Sequence, residues 1–182
     1  MKKILLMLSV GLFFCNSSLA SQEMLRNGAL NANMNHWWKT GVDINFSKQE
    51  ACIKIDKAGS NAWDVIFGQS EIAVEKGHEY SLEFEARSLE ETQFKTLVQH
   101  NGPPYSLYFI MDVTVNREKQ SYYYEFTHED ESDANSEFQF QMGGQKATIV
   151  CFSNVSLKNN SITPEPTISD SVNDSINSFW DE

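Results

Sequence analysis

The chain has 182 residues, with 14 lysines and arginines against 25 aspartates and glutamates and a formal net charge of −11. So acidic a chain repels phosphate backbones and anionic lipid, which excludes nucleic acid and the membrane surface as partners. No nucleophile motif, glycine-rich phosphate loop or metal-ligand spacing occurs, and His36, His78, His100 and His128 each fall in a polar turn or at a strand end, which leaves them without a role.

Residues 1–20 read as a secretion signal: Lys2 and Lys3, an apolar run from Ile4 to Phe14, and Ser18-Leu19-Ala20 as a small-residue cleavage site before Ser21. A signal anchor is the alternative, although the apolar run is short for a membrane span, and Cys15 follows Phe14 where a lipoprotein signal wants a small residue. Cleavage takes away two lysines and no acid, leaving 12 basic against 25 acidic residues, formally −13, on about 160 residues, enough for one sizeable core. It also leaves two cysteines, Cys52 and Cys151, in a chain expected to be extracellular or periplasmic. A disulfide is the default reading in an oxidising compartment, and a buried free pair is the alternative. Closing a loop of about 100 residues stabilises by roughly 4 to 5 kcal/mol in the chain-entropy model.

From Cys52 onward the pattern is almost all strand. Cys52-Ile53-Lys54-Ile55 alternates, and 78–87 alternates with Tyr80, Leu82, Phe84 and Ala86 inward and acids outward. Residues 94–100 read as a strand that runs into Asn101-Gly102-Pro103-Pro104-Tyr105, a stiff loop that holds a tyrosine out as a flat platform or packs it as a corner. Strands follow at 105–115 and 121–126, with an acidic, solvated loop at 128–133.

Residues 137–144 alternate strictly, so Glu137, Gln139 and Gln141 share one face while Phe138, Phe140 and Met142 share the other. Such an amide row is either an ordinary solvated face or a set of fixed donors and acceptors for hydroxyl groups, which with an aromatic ring beside it suits a sugar chain. The last strand, 147–157, carries Cys151. Turn signals at 57–61, 75–77, 101–104, 116–119 and 143–144 separate these runs, and many short strands without a long helix predict an all-β, jelly-roll β-sandwich.

The sandwich is expected over 21–158, and 159–182 as a linker-like tail. Asn159 to Thr167 has a semi-stiff linker composition, after which Ile168, Val172, Ile176 and Phe179/Trp180 recur at helical spacing. The tail is read as frayed, with a short docking helix as the alternative.

The stretch from about Glu23 to Lys158 resembles the family 4 carbohydrate-binding modules and their family 9 and 22 relatives. The resemblance rests on Leu25-Arg26-Asn27-Gly28 followed by Trp37, on Ala62-Trp63-Asp64-Val65 with Gly68-Gln69, on 74–86, on Phe140-Gln141-Met142-Gly143-Gly144, and on Asn154-Val155-Ser156-Leu157. The cellulose-oligosaccharide-binding members are most similar, sharing the Asn-Gly-x-Pro-Tyr loop and a disulfide at Cys52 and Cys151. The resemblance implies an open cleft on one sheet that binds a single glucan chain. It implies cleft residues Trp63, Phe67 and Gln69 on one strand, Lys95 and Leu97 on the next, Asn101 and Tyr105 at its end, and Glu137, Gln139 and Gln141 opposite. The family's cleft tyrosine is Thr40 here, with Trp38 as a replacement; a frequent Gln is Ile66; and the Asp that holds a structural calcium in many relatives is Ser153, so no cofactor is expected, with a structural calcium as the alternative.

Trp37, Phe84, Phe138, Phe140 and Phe152 belong to the core by phase. Trp63 stays open between core and sugar platform, and Lys95 with Glu137 is read alternatively as a cross-strand ion pair. The expected function is non-catalytic binding of β-glucan chains, β-1,4-linked first, with a polysaccharide-degrading enzyme as associate. The alternatives are a jelly-roll hydrolase or lyase, or a surface adhesion or structural protein. The first would need two carboxylates facing each other across a cleft, where only Glu137 is expected.

Overall fold

Side chains that alternate about a two-residue period can satisfy both a core and an exposed face only as strands in stacked sheets, and that arrangement is found. The structure, a computed structural model, describes residues 21–161 apart from 31–32 and 48–49; the expected signal segment and the tail from 162 onward lie outside the described residues. The strands are β1 Gln22–Glu23, β2 Trp38–Thr40, β3 Asp43–Ser47, β4 Glu50–Ile55, β5 Ile66–Val74, β6 Glu79–Ser88, β7 Thr92–His100, β8 Leu107–Val115, β9 Gln120–Thr127, β10 Asp133–Gln141 and β11 Thr148–Asn159. A single 3₁₀ turn, Ala62–Asp64, precedes β5. Among the described residues no helix is long and apolar enough to cross a membrane.

Two antiparallel sheets form the sandwich. One has the order β3-β4-β11-β6-β9 with β1 also paired to β11; the other has the order β2-β5-β10-β7-β8. The chain crosses from one sheet to the other at every connection except β3–β4 and β7–β8, the jelly-roll pattern expected from the sequence. Cys52 and Cys151 are direct partners across β4 and β11, with Cα atoms 4.0 Å apart, and form the expected disulfide across 99 residues.

Aromatic rings fill the space between the sheets. Trp37 stacks on Phe67 at 4.5 Å, and Phe140 of β10 stacks on Phe152 of β11 at 4.1 Å. Phe84 and Phe94 meet Phe140 edge-on at 5.0 and 5.6 Å. Tyr80, Leu82, Phe84 and Ala86 all point inward, as their phase requires. His128 departs from expectation: it is buried rather than in a polar turn, with the Tyr108 ring edge-on at 4.5 Å.

The outer face of the β4/β11/β6 sheet carries a charged cluster beside the disulfide. Glu50 accepts from Arg87 Nη2 at 2.8 Å and lies 2.7 Å from Lys119 Nζ, which also reaches Ser153 Oγ at 3.2 Å. The Arg87 hydrogen bond, outweighing the upward effect of burial and aided by Lys119, holds the Glu50 carboxyl at about 2.

Phe140→Ala should destabilise the domain by about 3 to 5 kcal/mol, because it removes a ring packed against four others and leaves a cavity between the sheets. Chemical denaturation of the variant and parent measures this, and an unchanged midpoint would contradict the packing.

Candidate functional site

The outer face of the β2-β5-β10-β7-β8 sheet carries a cleft of about 950 Å³. Strand register lays its floor out in rows. One row crosses all five strands as Trp38, Gly68, Gln139, Leu97 and Ile110; the next runs Thr40, Ile66, Gln141, Lys95 and Asp112; and a third runs Glu137, Gln99 and Leu107. A mostly apolar stripe is thus bordered by polar side chains.

The amide row is not an ordinary solvated face. Glu137, Gln139 and Gln141 are only 4%, 3% and 7% exposed, although all three line the cleft. Buried amides must find partners, and these bond one another. Gln141 Nε2 donates to Gln139 Oε1 (2.7 Å), Gln139 Nε2 donates to Glu137 Oε1 (2.6 Å), and Gln99 Nε2 donates to the same oxygen (2.8 Å). The rotamers are thereby held before any ligand arrives.

Exposed aromatic rings stand beyond the two ends of this row. Trp63, 61% exposed, sits on the 3₁₀ turn. That turn is fastened to the end of β10: Met142 N donates to Val65 O, Gly143 N to Ala62 O and Gly144 N to Ala58 O, all at 2.8 to 2.9 Å. Within the turn, Asp64 accepts from the backbone N–H groups of Ser60 and Asn61 at 2.7 and 2.9 Å, and these bonds lower its pKa. At the other end, Tyr105 is 54% exposed and adopts a left-handed φ of 59°, a costly conformation for a non-glycine residue. Asn101 N donates to Asn135 O and His100 N to Ser106 O, which tie this loop to β10 and close its base.

A hydrogen-bonded knot supports the Tyr105 loop. Asp133 Oδ2 accepts from Tyr108 Oη, Ser136 Oγ and His100 Nδ1 at 2.8 to 2.9 Å, and Oδ1 accepts from Asn135 N at 2.9 Å. Burial alone would raise the Asp133 carboxyl, but the His100 bond and then the other donors hold it at about 2. A carboxylate only accepts, so His100 Nδ1 is the donor. Burial, and then the bond to Asp133, push the Tyr108 phenol up to about 12.

Lys95, Leu97, Asn101, Tyr105, Glu137, Gln139, Gln141 and Trp63 all line the cleft. Phe67 and Gln69 do not, which corrects the expectation from the resemblance. Phe67 is fully buried against Trp37, and Gln69 turns inward to clamp Arg26, accepting from its N–H at 2.8 Å and donating to its carbonyl at 2.9 Å. The 3₁₀ turn takes Trp63 off β5, so Ile66 and Ser70 of that strand face the cleft instead. Nor do Lys95 and Glu137 pair: Lys95 lies 2.6 Å from Asp112, and Glu137 bonds the amides.

Trp38, Thr40, Ala62, Ile66, Ser70, Gln99, Leu107 and Ile110 complete the lining. The Trp38 indole lies against Gly68 and donates from Nε1 to Ser70 Oγ at 2.9 Å; a Cβ at position 68 would stand 3.0 Å from the ring and 2.7 Å from Phe138 O. Gly68 therefore lets the ring lie flat along β5. The alternation of Gln99 with Leu97 and Lys95 was the available signal for Gln99; Trp38 was visible only as a neighbour of the missing tyrosine.

The cleft can offer flat apolar faces together with fixed amide donors and acceptors. Among the described residues, Glu137 is the only carboxylate lining the cleft; Asp112 stands exposed at the edge of the floor and is paired with Lys95, so no acid/base pair spans it. The group with metal-ligand spacing, Glu50 with Cys52 and Cys151, is the disulfide and a salt-bridged glutamate.

A family model described as a carbohydrate binding domain, covering families 4 and 9, matches residues 22–148. No curated protein sequence matches the chain. Among solved structures, one titled "CBM4 structure and function" aligns with a TM-score of 0.67 at 23% identity, covering 74% of this chain and 98% of its own. The N-terminal cellulose-binding domain of Cellulomonas fimi β-1,4-glucanase C gives 0.62 at 21%, covering 73% and 94%. The second N-terminal cellulose-binding domain of that enzyme gives 0.63 at 22%, covering 77% and 95%. The likeness establishes the sandwich fold.

Asp133 and Glu50 both have native pKa values near 2, below their ordinary 3.8 and 4.5. Each therefore stabilises the fold above its ordinary value and loses that contribution as pH falls through about 2. Melting temperature should drop between pH 4.5 and 2. Asp133→Asn and Glu50→Gln should each flatten that drop while lowering stability at pH 7 by about 2 kcal/mol, measured by thermal melts across pH.

Proposed function

Because the chain belongs to the carbohydrate-binding domain family, we propose that it is a non-catalytic module that holds a single β-glucan chain in its cleft, cellulose-type β-1,4-glucan first and mixed-linkage or β-1,3-glucan second. The observation that carries this reading is the buried, internally bonded row Gln99, Glu137, Gln139 and Gln141 lying among the aromatic faces of Trp38, Trp63 and Tyr105. Glucose rings present apolar faces and equatorial hydroxyls. The apolar faces suit aromatic platforms, and the hydroxyls suit amides whose positions are already fixed. An open cleft immobilises a flexible ligand for modest gain, so affinity is in the micromolar range or weaker.

The disulfide is in keeping with secretion to an extracellular or periplasmic compartment. The linker-like composition after Lys158 is in keeping with a polysaccharide-degrading enzyme as associate. The module uses no cofactor on this reading. Where the resemblance implies a calcium ligand, Ser153 Oγ donates to Glu85 Oε2 at 2.9 Å, and the Lys119 ammonium lies 3.5 Å from that carboxylate and 2.7 Å from Glu50. A cation is already in place there, so the residues do not fit a calcium ion.

Titration calorimetry with cellohexaose tests the cleft. Tyr105→Ala should melt like the parent, because the ring is mostly exposed, yet bind about 5-fold to 150-fold more weakly, or about 1 to 3 kcal/mol. Gln141→Ala should cost about 1 kcal/mol in binding. Parent-like affinity in both variants would move the site elsewhere.

Excess chelator should leave the melting temperature nearly unchanged. A fall of more than about ten degrees, on the order of 2 kcal/mol, would reveal a bound divalent ion instead.

A further inference from the structure

The cleft floor holds a carboxylate with no cation against it. Both donors to Glu137, Gln99 Nε2 and Gln139 Nε2, fall on Oε1, so Oε2 is left for ligand or water. Lys95 is the only cation lining the cleft among the described residues, and Asp112 already lies against it at 2.6 Å. The floor therefore carries net negative charge at Glu137, in a position only 4% exposed, where water screens poorly.

That charge has two consequences. A carboxylate attracts donors, so the amides of Gln99 and Gln139 turn their N–H groups toward it, and Gln141 follows by donating to the carbonyl of Gln139. The direction of the whole row is thus set from one end. At Oε2, a sugar hydroxyl can donate a charge-assisted hydrogen bond, whereas a ligand carboxylate or sulfate brings only lone pairs and a like charge into a poorly hydrated place.

Resting on the reading that the cleft holds a β-glucan chain, we propose that Glu137 is a specificity-determining residue that restricts the cleft to uncharged sugar units and rejects uronate-bearing or otherwise anionic polysaccharides. It does so by requiring a hydroxyl donor at Oε2 and by fixing which amide groups face the ligand. The Lys95–Asp112 pair completes the device, because it removes the one cation that would offset the charge.

The test compares cellohexaose with a C6-oxidised cello-oligosaccharide of equal length, whose units are glucuronates, by calorimetry. The parent should prefer cellohexaose by about tenfold or more. Glu137→Gln keeps the size and an acceptor oxygen but removes the charge, and should bring the two ligands to within about threefold. Asp112→Asn alters an exposed carboxylate, frees Lys95, and should narrow the gap even where Glu137→Gln fails to fold. Equal binding of both ligands by the parent, or a folded Glu137→Gln that keeps the full gap, would overturn the proposal. With Glu137→Gln unfolded, an unchanged gap in Asp112→Asn overturns it as well. Failure of the parent to bind cellohexaose at all would instead remove the glucan reading, and this proposal with it.

Discussion

Strand β10 lies in the middle of its sheet, with β5 on one side and β7 on the other, so its backbone is fully committed to the ladders. Only the alternation of its side chains remains free to do anything. Phe138, Phe140 and Met142 go to the core, and Glu137, Gln139 and Gln141 go to the cleft. One strand therefore couples stability to recognition. A one-residue slip in its register would exchange the two sets, placing three phenyl and thioether groups in the cleft and a carboxylate in the core. The Phe140–Phe152 stack at 4.1 Å opposes such a slip from the far sheet.

Both ends of that strand are used to build the cleft walls. Its C-terminal end holds the turn carrying Trp63 by three backbone hydrogen bonds, and its N-terminal end holds the Tyr105 loop through Asn135 and the Asp133 knot. The exposed rings are thus spaced by the length of the amide row rather than by their own loops. Loops set by a rigid strand can present large apolar surfaces at fixed positions, which spares a ligand the cost of ordering them.

Charge is divided between the two faces of the sandwich in different ways. On the β4/β11/β6 face, Glu50, Glu85, Arg87 and Lys119 neutralise one another around the disulfide. In the cleft, Lys95 and Asp112 cancel while Glu137 is met only by amides. Amides satisfy the hydrogen-bonding needs of a carboxylate without cancelling its charge, so the floor stays polar and polarised although its side chains are largely buried.

Periodicity and turn chemistry were enough to read most of the strands, the inward phase of Tyr80, Leu82, Phe84 and Ala86, and the two faces of 137–142, because a two-residue period leaves a central strand no other choice. The cysteine pair was legible for the same reason: two thiols on strands in a chain expected to be secreted. The phase of β5 was not legible. Ile66, Gly68 and Ser70 alternate with Phe67 and Gln69, and each set mixes apolar with polar residues, so pattern alone cannot choose. Tertiary contacts decide it: the Phe67 ring stacks on Trp37, Gln69 clamps the Arg26 backbone, and Gly68 is the one position where the Trp38 indole can lie flat. Partner choice among charges was equally non-local: register sets Lys95 directly opposite Asp112 of β8, while Glu137 falls opposite Gln99 farther along β7. Sequence by itself determined which residues alternate; the fold decided which neighbour each one met, because burial and pairing depend on strands far apart in the chain.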